Sequence, residues 1–244
     1  MTRFKWIIIF LFLGITASAQ NLDQILNDHF ETIGQRELNK MQSMKVTGYS
    51  KQMNMETPFE MIVKRPNKMR IDIEMQGRKI EQAYNGDSAW MTQPFGDKKP
   101  VMITGTQLDG LRVMADMDGP LYEAEKKGIQ LKLQGSDTVK GQPAYMIEAV
   151  LSPDMSIIYF IGQENHLIIK ESIDVIMQGQ EIRQENYFSD FRETKGIINA
   201  CQQETYLNGQ LFRESLTESI EYNVAVDDTI FEVPGENIEA ESKF

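Results

Sequence analysis

The feature that most constrains this chain is a hydrophobic period of two that recurs along most of its length, broken by short turns. In KRPNKMRIDIEMQ, residues 64–76, Met69, Ile71, Ile73 and Met75 alternate with Arg70, Asp72, Glu74 and Gln76. That pattern makes a strand with one dry face and one wet one. Similar candidate strands run over 44–55, 59–64, 68–76, 78–84 and 88–93, then over 129–134, 144–151, 156–161, 166–177, 181–191, 197–207 and 210–222. The early turns, Glu56-Thr57-Pro58, Arg65-Pro66-Asn67, Gly77 and Asn85-Gly86-Asp87, are too short for crossover connections, so adjacent strands run antiparallel. Asn208-Gly209 is the strongest hairpin signal. A sheet of about eleven to twelve such strands has to curl or close.

Two segments change period. Leu22, Ile25, Leu26, His29, Phe30 and Ile33 recur at helical spacing between Asn21, a candidate N-cap, and Gly34. Between 94 and 128 the meander is interrupted. Leu108, Leu111, Met114 and Ala115 suggest one helix, and Gly119-Pro120 with Leu121, Ala124 and Lys126-Lys127-Gly128 a second. The expected fold class is mainly β (α+β): an open antiparallel β-barrel or half-barrel covered by a leading helix and a helical insertion. Its concave face would leave an apolar hollow.

Arg3 and Lys5 precede an apolar run from Trp6 to Ile15, and Ala17-Ser18-Ala19 follows. This reads as a signal peptide over 1–19 with Gln20 as the new N-terminus, since the run is about half the roughly 20 residues that span a bilayer. Residues 20–234 are then expected to form one domain, and 235–244 an acidic flexible tail. The single cysteine, Cys201, cannot make an intramolecular disulfide. With 25 basic and 36 acidic side chains the chain carries a net charge of −11, and loss of Arg3 and Lys5 makes the remainder more acidic still. Such a chain repels nucleic acid and anionic surfaces at long range. Nucleic acid is therefore excluded as a partner.

Catalysis finds little support. There are two histidines, His29 on the apolar side of the first helix and His166 after Gly162-Gln163-Glu164-Asn165, and neither stands beside a nucleophile. Asp116 with Asp118, and Asp72 with Glu74, are the ordinary wet face of an acidic chain. Asp227-Asp228 caps or turns the chain before Ile230-Phe231, and GTQLDG lacks the lysine and spacing of a phosphate loop. No catalytic residue, metal ligand or cofactor is expected. Methionine is more informative, because eleven of fifteen fall between Met41 and Met117. They could fill an ordinary core, or line a cavity whose contents vary, since flexible thioethers repack around different apolar shapes.

VKRPNKMRIDI followed by YNGDSAWMTQPF resembles the LolA-like periplasmic carriers that sort lipoproteins to the outer membrane. The matching positions are Lys64, Arg65, Pro66, Asn67, Gly86, Trp90, Pro94 and Phe95. MADMDGPLYE and YNVAVDDTIFEVP are similar to later segments of that family, so the resemblance covers roughly Asn21 to Pro234. It implies an incomplete barrel whose apolar interior receives acyl chains in the periplasm. The lipid-binding residues it points to are Met69, Ile71, Ile73 and Met75 in the hollow, Trp90 and Met91 in its wall, and Leu108, Leu111, Met114 and Leu121 in the lid. A register error of one residue would reverse any of these strand positions. Pro66, Gly86 and Trp90 also serve as turn and core builders, and Arg65 and Arg70 are expected at wet positions. The expected partners are lipoprotein acyl chains or lipids, an inner-membrane releasing transporter and an outer-membrane acceptor, with the carrier a soluble monomer. The alternative is a periplasmic protein-interaction or envelope-stress sensor module of the same fold.

Overall fold

The computed structural model of the protein describes residues 10–93, 99–153, 155–177 and 180–234. Helices α1 (Phe10–Ile33) and α2 (Gln35–Leu38) lead into β1 (Ser43–Gln52), β2 (Met55–Lys64), β3 (Lys68–Met75), β4 (Arg78–Tyr84), β5 (Ala89–Met91) and β6 (Val101–Ile103). Helix α3 (Thr106–Ala115) and a 3-10 turn at Ala124–Lys127 follow. The chain then continues through β7 (Gln130–Val139), β8 (Gln142–Ser152), β9 (Met155–Gly162), β10 (Ile168–Met177), β11 (Gln180–Thr194), β12 (Ile197–Leu207) and β13 (Gln210–Tyr222). All thirteen strands form one antiparallel sheet in the order 6-5-4-3-2-1-13-12-11-10-9-8-7. The first and last strands meet in its middle, and β6 and β7 are its free edges.

The helices lie on one face and oblige the sheet to curl around them. Leu111 and Ala115 of α3 pack with Val63, Met69, Tyr84, Ala89 and Ile103 on the β2–β6 half. Val113 and Leu121 of the same insertion pack on the other half, where Ile25 and Leu26 of α1 meet Ile147, Ala149, Ile157, Tyr159 and Ile161. One ten-residue helix can touch both halves only if the sheet folds toward it, yet no ladder joins β6 to β7. The result is an open half-barrel. Each large side chain fully buried in these clusters contributes about 1.5–3 kcal/mol.

A glycine permits the corner between α1 and α2. Gly34 adopts φ 76°, and a Cβ there would lie 1.9 Å from the Gly196 carbonyl oxygen, so α1 ends pressed against the β11–β12 turn. On the convex face the C-terminal segment forms a strap. Lys64 Nζ donates to the Val226 carbonyl at 2.9 Å, Arg70 to that of Ile230 at 2.8 Å, and Trp90 Nε1 to that of Phe231 at 2.9 Å. Asp227 caps the short helical turn Asp228–Phe231 by accepting from the Thr229 amide at 2.9 Å.

β4, β12 and β13 have the boundaries their alternation predicts, and other elements differ for local reasons. The first hairpin turns at Met53-Asn54, with φ 48° and 62°, as a two-residue loop requires, and not at Glu56-Thr57-Pro58. Pro58 instead lies inside β2 opposite Tyr49, just before Phe59, where the pairing of β2 with β3 begins. There its missing N–H costs no bond to β3. The second insertion helix is turns over 117–123 plus the 3-10 segment. β6, three residues long, lies in what reads as insertion and is too short to display an alternation. β7 runs on to Val139 because its hairpin turns at Lys140-Gly141, both at positive φ. Residues 1–9 of the expected leader, the matched Pro94 and Phe95, and the expected tail 235–244 lie outside the described residues.

Candidate binding hollow

Register assigns every strand residue to a face, since directly opposed residues share one. On β1–β6 the innermost level is Met44, Val63, Met69, Tyr84, Ala89 and Ile103. Apart from Met44, which is partly buried, it is sealed beneath α3, and Met69 has no exposed surface. The next level, Val46, Met61, Ile71, Gln82 and Met91, and the one after, Phe59, Ile73 and Ile80, emerge from under the helix. Apart from Val46 they are only partly buried. Met75, opposite Arg78, stands at the rim. The concave wall therefore grades from a closed dry end at α3 to an open end at the β1–β2 and β12–β13 turns.

The predicted residues divide against this geometry. Ile71, Ile73, Met75 and Met91 lie on the concave face, Leu108 and Leu111 lie on the inner side of α3, and Met69 belongs to the packed floor. Leu121 is buried with Ile25 and Ile147 in the core under α1. Two placements are corrected. Trp90 is opposed by Ala83, which is opposed by Arg70, so it lies on the convex face, 1% exposed beneath the C-terminal strap. Met114 is 50% exposed, because Leu108, Leu111 and Ala115 take the inward arc of α3 and leave it on the outer side.

Neither Arg65 nor Arg70 is simply solvated. Arg65 reaches under the lid, donating from Nε to the Met41 carbonyl at 2.7 Å and forming a two-pronged ion pair with Asp118, one prong at 2.7 Å. Gln35 also donates to Asp118, at 2.9 Å. Burial alone would raise the Asp118 carboxyl, but hydrogen bonds and charge from Arg65, with Lys127 and Gln35, hold it below its ordinary value. α2, the KRPN turn and the insertion are thereby tied at one point. Arg70 is on the convex face, paired with Asp72 and Glu81 and 5.7 Å from the Trp90 ring centroid.

Sequence patterning does not isolate a polar row that crosses the concave face of the other half. Tyr159, Glu171, Asn186, Thr205 and Arg213 oppose one another on successive strands β9 to β13. Asn186 Nδ2 donates to Glu171 at 2.6 Å, and Thr205 Oγ1 donates to Asn186 Oδ1 at 2.8 Å. Burial pushes the Glu171 carboxyl up, against the Asn186 bond. Arg213 closes the row with its Nε buried and without a partner. Between the insertion and β7–β9, an opening of about 450 Å³ is lined by Arg112, Val113, Lys127, Ile129, Leu151 and Met155, among others.

His29 is buried and its ring donates through Nδ1 to the His166 carbonyl at 2.7 Å, and burial lowers its pKa. It is a packed residue, as its position on the helix predicts. Among the described residues no group of three or more His, Cys, Asp or Glu comes together to hold a metal ion. No described helix is long and apolar enough to cross a membrane.

No protein-family model matches the chain, and no curated protein does. Solved structures do match it. A DUF1329 family protein from Desulfovibrio piger is 14% identical with a TM-score of 0.58, over 84% of this chain and 96% of that one. A LolA superfamily protein from Nitrosomonas europaea is 12% identical with a TM-score of 0.57, over 86% and 96%. A domain from Vibrio parahaemolyticus named for outer membrane lipoprotein sorting is 10% identical with a TM-score of 0.58, over 83% and 95%. At such identities the likeness is one of fold: the open, helix-covered half-barrel of this chain is a LolA-like fold.

Proposed function

We propose that the protein is a periplasmic, non-enzymatic carrier that holds acyl chains of lipoproteins or other lipids in its hollow and moves them toward the outer membrane. The observation that carries this reading is the pair of levels Met61–Ile71–Met91 and Phe59–Ile73–Ile80, apolar side chains left partly exposed on a concave wall. Each buried CH2 of a ligand is worth about 0.8 kcal/mol. A ~16-carbon chain thus gains on the order of 10 kcal/mol before costs, and an open hollow walled partly by adaptable methionine keeps that gain reversible. The sheet wall supplies the apolar surface, the lid closes one end, and the ends of the strands admit the ligand. A loading transporter and a receiving acceptor are the partners such a cycle requires.

The test is to purify the chain gently from a Gram-negative host and identify bound material by native mass spectrometry and lipid extraction. Co-purifying lipid or acylated protein that is lost in Ile71→Glu and Met61→Glu, both folded, supports the carrier. A ligand-free mass with no uptake of added acylated peptide refutes it.

A second reading, a protein-interaction or sensor module, is favoured by a different observation. Met53 and Met55 at the β1–β2 turn and Leu211 and Phe212 at the start of the adjacent β13 are all exposed. Capture of a partner abolished by Met53→Ser with Phe212→Ser, with no ligand in the hollow, would favour that module.

A further inference from the structure

We propose that Arg213, with the polar row behind it, is a subsite for the anionic group, phosphate or carboxylate, of an amphiphile whose chain lies along the apolar wall. This rests on the carrier reading and specifies its ligand. Arg213 opposes Thr205 on the concave face, and no described residue forms an ion pair or hydrogen bond with it, its buried Nε included. That is unusual in a chain with a net charge of −11, where carboxylates elsewhere hold most arginines. Leaving a guanidinium half-buried and unpaired is costly unless an anion completes it. Burial lowers its pKa and no carboxylate offsets the effect.

The surroundings suit an incoming anion. Thr205 and Asn186 are themselves buried and already engaged: Thr205 donates to Asn186 and accepts from Gln203, and Asn186 donates to Glu171 and accepts from Gln184 as well, so neither hydrogen-bonds the guanidinium fork. Its planar donors match a phosphate or carboxylate bidentately. Position also fits. Ile220 of β13 shares a level with Val46, Met61 and Ile71, and Arg213 lies seven residues back along the same strand, roughly 20 Å at strand rise. One acyl chain in a bilayer spans about 15 Å, half the hydrocarbon thickness. A chain whose polar end sits at Arg213, at the open mouth, would therefore reach along the wall past the level of Phe59 and Ile73, which β13 meets at Thr217, and stop short of that of Ile71.

The experiment is displacement of a neutral fluorescent apolar probe from the full chain by hexadecyl phosphate, palmitate and uncharged hexadecanol. In wild type the two anions should displace it at about ten-fold lower concentration than hexadecanol. Arg213→Gln should remove that difference while leaving hexadecanol unchanged, and Arg213→Lys should restore part of it. Loss of hexadecyl phosphate's advantage alone, or of palmitate's alone, identifies which anion the subsite takes. Inorganic phosphate that competes away the advantage without a chain would mean a free-phosphate site and overturn the amphiphile. Equal displacement by charged and neutral ligands, or an advantage that survives in a folded Arg213→Gln, refutes the subsite and leaves the carrier standing. A protein that binds no probe or ligand at all loses both.

Discussion

Phe231→Ala should unfasten the C-terminal strap, and tryptophan emission can read the event. Phe231 has no exposed surface, and its carbonyl accepts the Trp90 indole N–H at 2.9 Å. Large-to-small changes of a fully buried phenylalanine cost about 3–5 kcal/mol. Because the strap can partly collapse onto the sheet, the low end applies, about 3 kcal/mol, or roughly 6–12 °C in Tm for a domain of this size. The chain has two tryptophans, Trp6 and Trp90, so a protein begun at Gln20 carries Trp90 alone. Its emission should shift to the red in the variant at temperatures where far-ultraviolet circular dichroism is still native. Ligand entering the hollow should leave that emission in place, because Trp90 is on the opposite face of the sheet. Unchanged emission and Tm in Phe231→Ala would refute the anchoring role, and strong quenching by bound ligand without unfolding would refute the face assignment.

Arg65→Ala removes the ion pair of Asp118, leaving it Gln35 and the charge of Lys127, and frees the Met41 and Leu38 carbonyls, so stability should fall by about 2–3 kcal/mol, with amide exchange rising first in 106–127. Because the Asp118 carboxyl is held low in the fold, the wild type has this stabilisation above the carboxyl's unfolded pKa and loses it as pH falls through the folded one. Urea midpoints measured from neutral to acidic pH should therefore converge for the two proteins. Glu171 has the opposite sign. Its raised carboxyl means that the unfolded state releases its proton first as pH rises, so stability declines through that interval, and Glu171→Gln should flatten the decline in the same titration. Cys201 is buried, and burial raises its thiol, with Asp190 adding to the rise and Arg192 opposing it. It should resist a thiol reagent in the native protein and react fully in urea, and rapid native labelling would contradict its placement.

Much of this architecture was legible because the chemistry repeats. Strands such as β4, β12 and β13 end where turn residues stand, and Asp227 reads as a cap before any coordinate is known. Legibility fails where both faces of an element are covered. β5 has three residues, with Ala89 buried on one side and Trp90 on the other, so no alternation fixes its phase and Trp90 falls on the unexpected face. α3 carries apolar residues beyond its inward arc, which disguises Met114. The polar row is hidden for a related reason. In β10, Glu171 shares a face with Ile173 while Lys170 and Ser172 share the other, and β13 has charge on both faces, so nothing marks Arg213 as concave. Arg65 looked solvated because its partner Asp118 belongs to a distant insertion.

The meeting of β1 with β13 has a consequence for how the chain comes to exist at all. Val46 is opposed by Ile220, near the two ends of the described chain, so the central ladder closes a loop that contains nearly every other strand. Local hairpins on either flank can form early, but they stay separate until the final strand arrives. Such long-range pairing makes folding slow, and whichever end is delivered first must wait with an unmatched edge. A truncation that removes β13 should then yield two collapsed, aggregation-prone halves rather than a smaller version of the molecule, and assembly can be complete only when the entire polypeptide is present.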